Sequence, residues 1–382
     1  MVRYELGKWN LGELVKNPTR TVFDKKLSKI ENSAKNFEKT YKNLLRQNAN
    51  ISSTKFFNLL HSIEIISEKS SIIGGYASLC YSENTQSDEA TSLLTRITKF
   101  ASDIENRLLF FDLWWKREID EKNAKRLIKS AGQYSEYLKH KRLLAKYSLS
   151  EPEEKIINTL DVTGASALVK LYDKITNAFV YTVTVNGKKK TMNREQLTTL
   201  VRNKSGKIRE AAYKSLLSKY NTNKGVTGEI YQNLVLNLRD EGIGMRGFSS
   251  PITIRNISNN IDDKTIETLL YVCKKNSKIF QKYFTKKAKL LGMKKLRRYD
   301  LYAPKKSKSN EKTYSYDKSI KLVLESLSKF SPILSEYAKN VFRQRHVDSA
   351  LRPGKASGAF RAATVLTYGR WQSGMAWPLP TR

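Results

Sequence analysis

A mainly α, multi-helix fold with one small β-hairpin is what this sequence predicts, and three observations carry it. Apolar residues recur at steps of three and four over long stretches. One short run alone is β-branched and aromatic. Gly and Pro, at 18 and 8 of 382 residues, are too sparse for the turns of a β-sandwich. With 40% hydrophobic and 10% aromatic residues, the chain has material for a sizeable core and lies far from disordered compositions.

Over residues 24–48 the apolar positions Leu27, Ile30, Ala34, Phe37, Tyr41 and Leu44 fall on one helix face. Residues 53–67 repeat the pattern through Phe56, Leu59, Leu60, Ile63 and Ile66, and residues 88–109 through Leu93, Ile97, Phe100, Ile104 and Leu108. Similar lengths and short polar loops predict antiparallel helix hairpins. Gly74 and Gly75 sit between apolar residues without GxGxxG spacing and read as close helix packing, not a phosphate loop. The run from Phe110 to Trp115 marks an aromatic seam or groove. Ser150 and Glu153 have capping-box spacing with Pro152 in the first turn, so Glu153 and Glu154 read as helix-start charges rather than a catalytic pair. Residues 179–185 run into Asn186-Gly187, whose tolerance of positive φ predicts a hairpin with 188–192, its edge guarded by Lys. Asn193 caps the next helix. Apolar faces follow through Tyr213, Leu216 and Leu217, then Ile230, Leu234 and Leu238. Residues 242–250 read as a loop, and 266–289 and 316–342 as two more helical segments.

Lys and Arg outnumber Asp and Glu by 70 to 36, a net charge of +34. A field of that size suits nucleic acid, an anionic membrane surface or acidic substrates. Yet 48 of the cations are Lys and 22 are Arg, the bidentate reader of phosphates and bases. Spread as they are, the lysines read as solvated helix faces, with the densest cluster at 286–308. Cys80 and Cys273 lack CxxC partners and read as reduced thiols of a cytoplasmic protein. Arg3, Glu5 and Lys8 interrupt any signal-like run at the start, and no stretch approaches the roughly 20 apolar residues of a membrane span. No membrane partner is expected.

Chemistry is sparse. His61, His140 and His346 are widely separated, so there is no HExxH helix and no i, i+4 zinc pair. No GxSxG elbow, Walker A loop or Cys/His cluster occurs, and no catalytic or metal-ligating residue is assigned. From Ala356 to Arg382 the sequence holds no Lys, Asp, Glu, Asn or Ile, an abrupt shift that reads as a frameshifted or artificial end.

Several stretches resemble the oligoendopeptidase F family, thimet-oligopeptidase-like zinc metallopeptidases. In family order they are Trp9-Asn10-Leu11-Gly12-Glu13-Leu14, Tyr76-Ala77-Ser78-Leu79, Asp88 to Leu94, Phe110-Phe111-Asp112 and residues 149–157. Arg209-Glu210-Ala211-Ala212-Tyr213, Met245-Arg246-Gly247-Phe248, residues 289–293 and 299–304, and residues 352–360 complete the series. The resemblance implies a clam-like helical enzyme whose zinc lies deep in a channel admitting short peptides. Two His of an HExxH helix and a downstream Glu would hold the metal, and the HExxH Glu would activate water. That motif is expected a few dozen residues beyond 360, where this chain has already turned into its unusual end. The expectation is therefore an N-terminal portion lacking the thermolysin-like zinc subdomain. Zinc belongs to the complete family enzyme, and the chain as given is expected to be inactive.

The same resemblance divides the chain into an N-terminal helical domain (1–110), an oligopeptidase F N-terminal-type domain with the hairpin (111–200), the helical start of a metallopeptidase domain (201–360) and the tail (361–382). It also points to substrate-cleft residues. Gly354, Lys355, Gly358, Ala359 and Phe360 lie in a run resembling a cleft-bordering strand, whose small residues would let a peptide pair as an added strand; a Gly-rich loop before a core strand is the alternative. Arg246 and Phe248 lie in a run resembling a channel-side loop, with a plain interhelical turn as the alternative. Short peptides are the implied partners. A nonspecific nucleic-acid-binding protein and a noncatalytic peptide-binding remnant are the competing readings, and oligomeric state is left open. Helices beyond Gly206 are expected to expose apolar surface.

Overall fold

The structure, a computed structural model, describes residues 3–47, 50–305, 314–358, 360 and 362. Three long helices, α1 (Arg20–Gln47), α2 (Ser53–Glu83) and α3 (Asp88–Leu113), pack against one another around the larger hydrophobic core. Phe56 of α2 is fully buried against Phe111 and Trp115, at ring separations of 6.4 and 5.2 Å. A π-helical turn, Trp114–Glu118, follows α3 and places both Trp114 and Trp115 in the core. After α4 (Glu121–Ser130), the Trp115 indole N–H donates to the Leu138 carbonyl at 2.9 Å, which ties α5 (Ser135–Leu143) to that turn.

A second, smaller core begins after α6 (Glu151–Asp161) and α7 (Ala165–Asn177). Strands β1 (Tyr181–Val185) and β2 (Lys188–Met192) pair antiparallel, Tyr181 opposite Met192 and Val185 opposite Lys188. The two-residue turn has Asn186 at φ 52° and Gly187 at φ 76°, the left-handed pair that suits the twist of the strands. Phe179, Tyr181 and Val183 bury one strand face against Leu197 of α8 (Arg194–Thr199) and Ala212 of α9 (Gly206–Thr222). Asn193 and Gln196 cap α8 reciprocally, each side chain accepting from the other's backbone N–H at 2.9 and 3.0 Å. The chain continues through α10 (Lys224–Arg239), a π-helical turn (Asp240–Met245), α11 (Pro251–Ser258), α12 (Asp263–Lys275), α13 (Ser277–Leu290), α14 (Tyr316–Phe330) and α15 (Pro332–Arg343).

Several expectations change in detail. Helix α2 runs unbroken through Gly74, where an added Cβ would meet nothing within 4 Å, so close packing is not the reason for that glycine. The stretch 266–289 is two helices that meet at Asn276, where the backbone leaves helical geometry (φ −95°, ψ 6°) and the side chain donates to the Val272 carbonyl at 2.8 Å. The stretch 316–342 breaks at Ser331, held extended at φ −157° by the following Pro332. Part of the loop foreseen at 242–250 is the π-helical turn that prolongs α10. The apolar periodicity does not predict α4, α5, α7 or α11.

The helices beyond Gly206 carry much exposed apolar surface. Neither α12 nor α15 has a buried residue, and Leu270, Phe280, Phe330 and Ile333 all stand in solvent. Among the described residues no helix is long and apolar enough to cross a membrane.

Candidate functional site

The run after α15 folds back onto the start of the chain and the end of α2. Ser349 and Ala350 donate backbone N–H groups to the Gly7 carbonyl at 2.9 and 3.2 Å, and Asn10 donates to the Arg345 carbonyl at 2.7 Å. At the centre is the Asp348 carboxylate, 0% exposed, which accepts from Arg352 Nη1 at 2.8 Å and from Lys355 Nζ at 3.0 Å. Burial alone would raise this carboxyl's pKa. The hydrogen bonds and charges of Arg352 and Lys355 outweigh it and hold the group below the usual carboxylate range. Lys355 also donates to the carbonyls of Asp348 and Ala350 at 2.9 and 3.1 Å, so its ammonium faces inward and ties the turn together.

Gly354, at φ 76°, presents its carbonyl to the Thr85 N–H and hydroxyl at 2.7 and 2.8 Å. A Cβ there would lie 2.5 Å from Asn84 Oδ1, so only glycine fits. Ala356 donates to the Ser82 carbonyl at 2.9 Å, and Gly358 also has a positive φ, 92°. Residues 354–358 form no strand. Phe360 is half exposed and meets the edge of Trp9 at 6.3 Å. Ala359 lies outside the described residues.

This segment touches a second feature. Arg194, the first residue of α8, donates to the Ser357 hydroxyl at 3.1 Å, and the same guanidinium acts on the phenols of Tyr181 and Tyr220. Burial pushes the Tyr181 phenol up to about 12. Beside Tyr220 opens a groove of about 1000 Å³ between α7, α9 and α10. Nothing in the sequence singled it out, because its walls come from three helices whose mutual placement is tertiary.

Arg246 and Phe248 form a separate cluster. Arg246 grips Glu154 with both Nη atoms at 2.7 and 2.8 Å, and its Nε donates to Glu241 at 3.0 Å. The Tyr147 carbonyl takes a further bond at 3.2 Å, and the Tyr147 and Phe248 rings stack at 3.7 Å. Burial works against the Glu154 charge, yet Arg246 and the Leu149 N–H keep its pKa below the ordinary range. Glu154 is thus both a first-turn carboxylate of α6, as its position in the sequence implies, and a buried ion-pair partner for Arg246. Glu153 does act at the helix start, accepting from the Ser150 N–H at 2.9 Å. With these donors bound to protein acceptors, Arg246 braces α6 against the turn before α11.

Comparison with known proteins places the chain. The profile described as Peptidase family M3 matches residues 199–375, and that described as Oligopeptidase F matches residues 117–181. The chain belongs to the oligoendopeptidase F family. This family member is 22% identical over 223 residues to the group B oligopeptidase PepB of Streptococcus agalactiae, covering 57% of this chain and 36% of that protein. It is 26% identical over 172 residues to an oligoendopeptidase F homolog of Lactococcus lactis, covering 44% of this chain and 28% of the other. It therefore spans about a third of the length of the curated relatives it matches. The crystal structure of oligoendopeptidase-F from Enterococcus faecium shares its fold at a TM-score of 0.66 and 20% identity, covering 86% of this chain and 67% of that one.

A zinc centre finds no fit among the described residues of this oligoendopeptidase F relative. His61 stands beside Glu64 at 3.5 Å, His140 contacts Asn260 at 3.2 Å, and His346 meets Glu13 at 3.2 Å. These three sites are far apart in sequence, and among the described residues no three His, Cys, Asp or Glu side chains converge to hold a metal ion. Within the basic cluster, Arg297 is paired to Asp300 at 2.7 Å; Lys306 and Lys308 lie outside the described residues.

Proposed function

We propose that this chain is the channel-forming portion of an oligoendopeptidase, a zinc metalloenzyme that hydrolyses short peptides when complete. By itself it neither holds the catalytic zinc nor cleaves peptide. One observation carries the reading: these 382 residues contain no HExxH, and their three histidines stand at unrelated places. Lewis-acid hydrolysis needs a gripped metal and a general base, and no residue here is assigned to either task. The bare apolar faces of α12–α15 support the reading, since in a complete enzyme further chain would cover them. So does the extent of the match, about two thirds of the Enterococcus faecium chain. The organisation proposed is helical domain, oligopeptidase F N-terminal-type domain and the opening of the metallopeptidase domain, in cytoplasm.

The test is incubation of the purified chain with zinc and a quenched fluorescent peptide. No turnover above the metal-only control is expected; metal-dependent, chelator-sensitive cleavage would overturn the reading. A noncatalytic peptide-binding protein is the second reading, favoured by the groove between α7, α9 and α10.

A further inference from the structure

The groove is lined by Tyr172 of α7, Leu217 and Tyr220 of α9, and Ile230, Tyr231 and Leu234 of α10. Its walls are mostly aromatic and aliphatic, with Ser218, Asn221 and Thr227 among them, and its volume of about 1000 Å³ holds several amino-acid residues rather than one. Lys224 also lines it, exposed and without an ion pair among the described residues, while the tyrosine wall leads by way of Arg194 to Ser357. The exposed cation beside apolar walls matches a ligand with one large apolar group and one carboxylate. A second copy of this +34 chain would bring more cations to the same place.

We infer that this groove binds the carboxyl-terminal end of a short peptide, with a large apolar or aromatic last side chain against Tyr220, Ile230 and Leu234 and the terminal carboxylate beside Lys224. The choice of a peptide as ligand rests on the function proposed above; the groove, its apolar walls and its cation do not.

Gly228 supplies the decisive variant. It lines the groove from within α10, and a Cβ added there would meet nothing within 4 Å. Gly228→Leu therefore fills space in the groove while improving helix propensity, so loss of binding is not confused with loss of fold. The experiment is calorimetric titration of the full chain with acetyl-Ala-Ala-Phe as free acid, its carboxyl-terminal amide, and acetyl-Ala-Ala-Ser. Saturable binding of the Phe acid is expected, weaker by roughly tenfold or more for the Ser peptide. A loss of about threefold is expected for the amide, and Lys224→Met should abolish the preference for the acid. Gly228→Leu should remove binding with an unchanged melting temperature. Absence of binding by the Phe acid, or equal binding by Gly228→Leu, would overturn the inference. So would a Gly228→Leu protein that only changes its sedimentation, which assigns the groove to a second copy. These readouts concern binding alone. Zinc-dependent turnover would refute the inactive-portion reading while leaving the groove intact, and a failed titration leaves the turnover test untouched.

Discussion

Arg209 of α9 and Asp300, 91 residues further along, meet as a buried ion pair, with Nη2 at 2.7 Å and Nε at 3.2 Å from the same carboxylate oxygen. Asp300 is fully buried, and its other oxygen accepts from Arg297 at 2.7 Å. Arg209 also donates to the carbonyls of Asn203 and Lys204 at 2.6 and 3.0 Å, so one guanidinium fastens the α8–α9 connection to the loop after α13. Removing one partner leaves a buried charge uncompensated. Asp300→Ala is therefore expected to destabilise the chain by about 3–5 kcal/mol. Arg209→Met combined with Asp300→Leu should lose less than the sum of the single changes, because an apolar pair strands no charge. Urea denaturation of the three proteins measures this, and an Asp300→Ala midpoint equal to the parent's would refute it.

The same carboxylate sets a pH dependence. Burial alone would raise the Asp300 pKa, but bonds from Arg209 and Arg297 outweigh it and the value falls below normal. Asp348 and Glu154 behave alike. A carboxyl whose folded pKa is depressed contributes stability above its unfolded pKa, and that contribution is lost as pH falls through the folded value. With unfolded values near about 4, the urea midpoint should hold between about pH 5 and 8 and decline below about pH 4. Asp300→Asn should make the decline shallower. A midpoint that stays constant down to about pH 3 would show that these groups are not linked to folding.

What the sequence made legible was local. The three long helices followed from apolar spacing, and the hairpin followed from Asn186-Gly187, both at positive φ. The Asn193 cap is legible because capping is decided within four residues. Helices α4 and α5 escaped notice because they bury only Ala124, Leu127 and Leu138, too few positions to display a period. The roles of Glu154, Asp348 and Lys355 were illegible for another reason. Glu154 is defined by Arg246, 92 residues away, which only the tertiary fold brings within hydrogen-bond distance; Asp348 and Lys355 lie only seven residues apart, but in an irregular turn that no helix or strand period announces. Gly354 lies between these cases: its Gly-rich run stands out in the sequence, but the reason, Asn84 crowding its α-carbon, is visible only in three dimensions.

Arg246 is expected to act through structure, not through substrate. Its fork to Glu154 and its third bond to Glu241 require a planar guanidinium, which an ammonium does not reproduce. Arg246→Lys should therefore cost about 1–3 kcal/mol, from imperfectly satisfied buried acceptors. It should leave peptide affinity in the titration above unchanged. A variant of parental stability with impaired peptide binding would reverse the assignment and return Arg246 to the cleft.

The bare faces of α12–α15 lead to the last prediction. Phe330 is 83% exposed and Ile333 71%, on neighbouring helices that each bury little. Contiguous apolar surface of this kind drives association, while a net charge of +34 opposes it by mutual repulsion. Salt screens the repulsion and leaves the hydrophobic term, so reversible self-association should strengthen as ionic strength rises. Binding to nucleic acid shows the opposite trend, weakening with salt as counterions are no longer released to advantage. Sedimentation equilibrium from low to high salt distinguishes the two. Phe330→Ser with Ile333→Ser should suppress the association without lowering the melting temperature, since neither side chain belongs to a core. A strictly monomeric parent in high salt would mean that these faces, though exposed, do not form an adhesive surface.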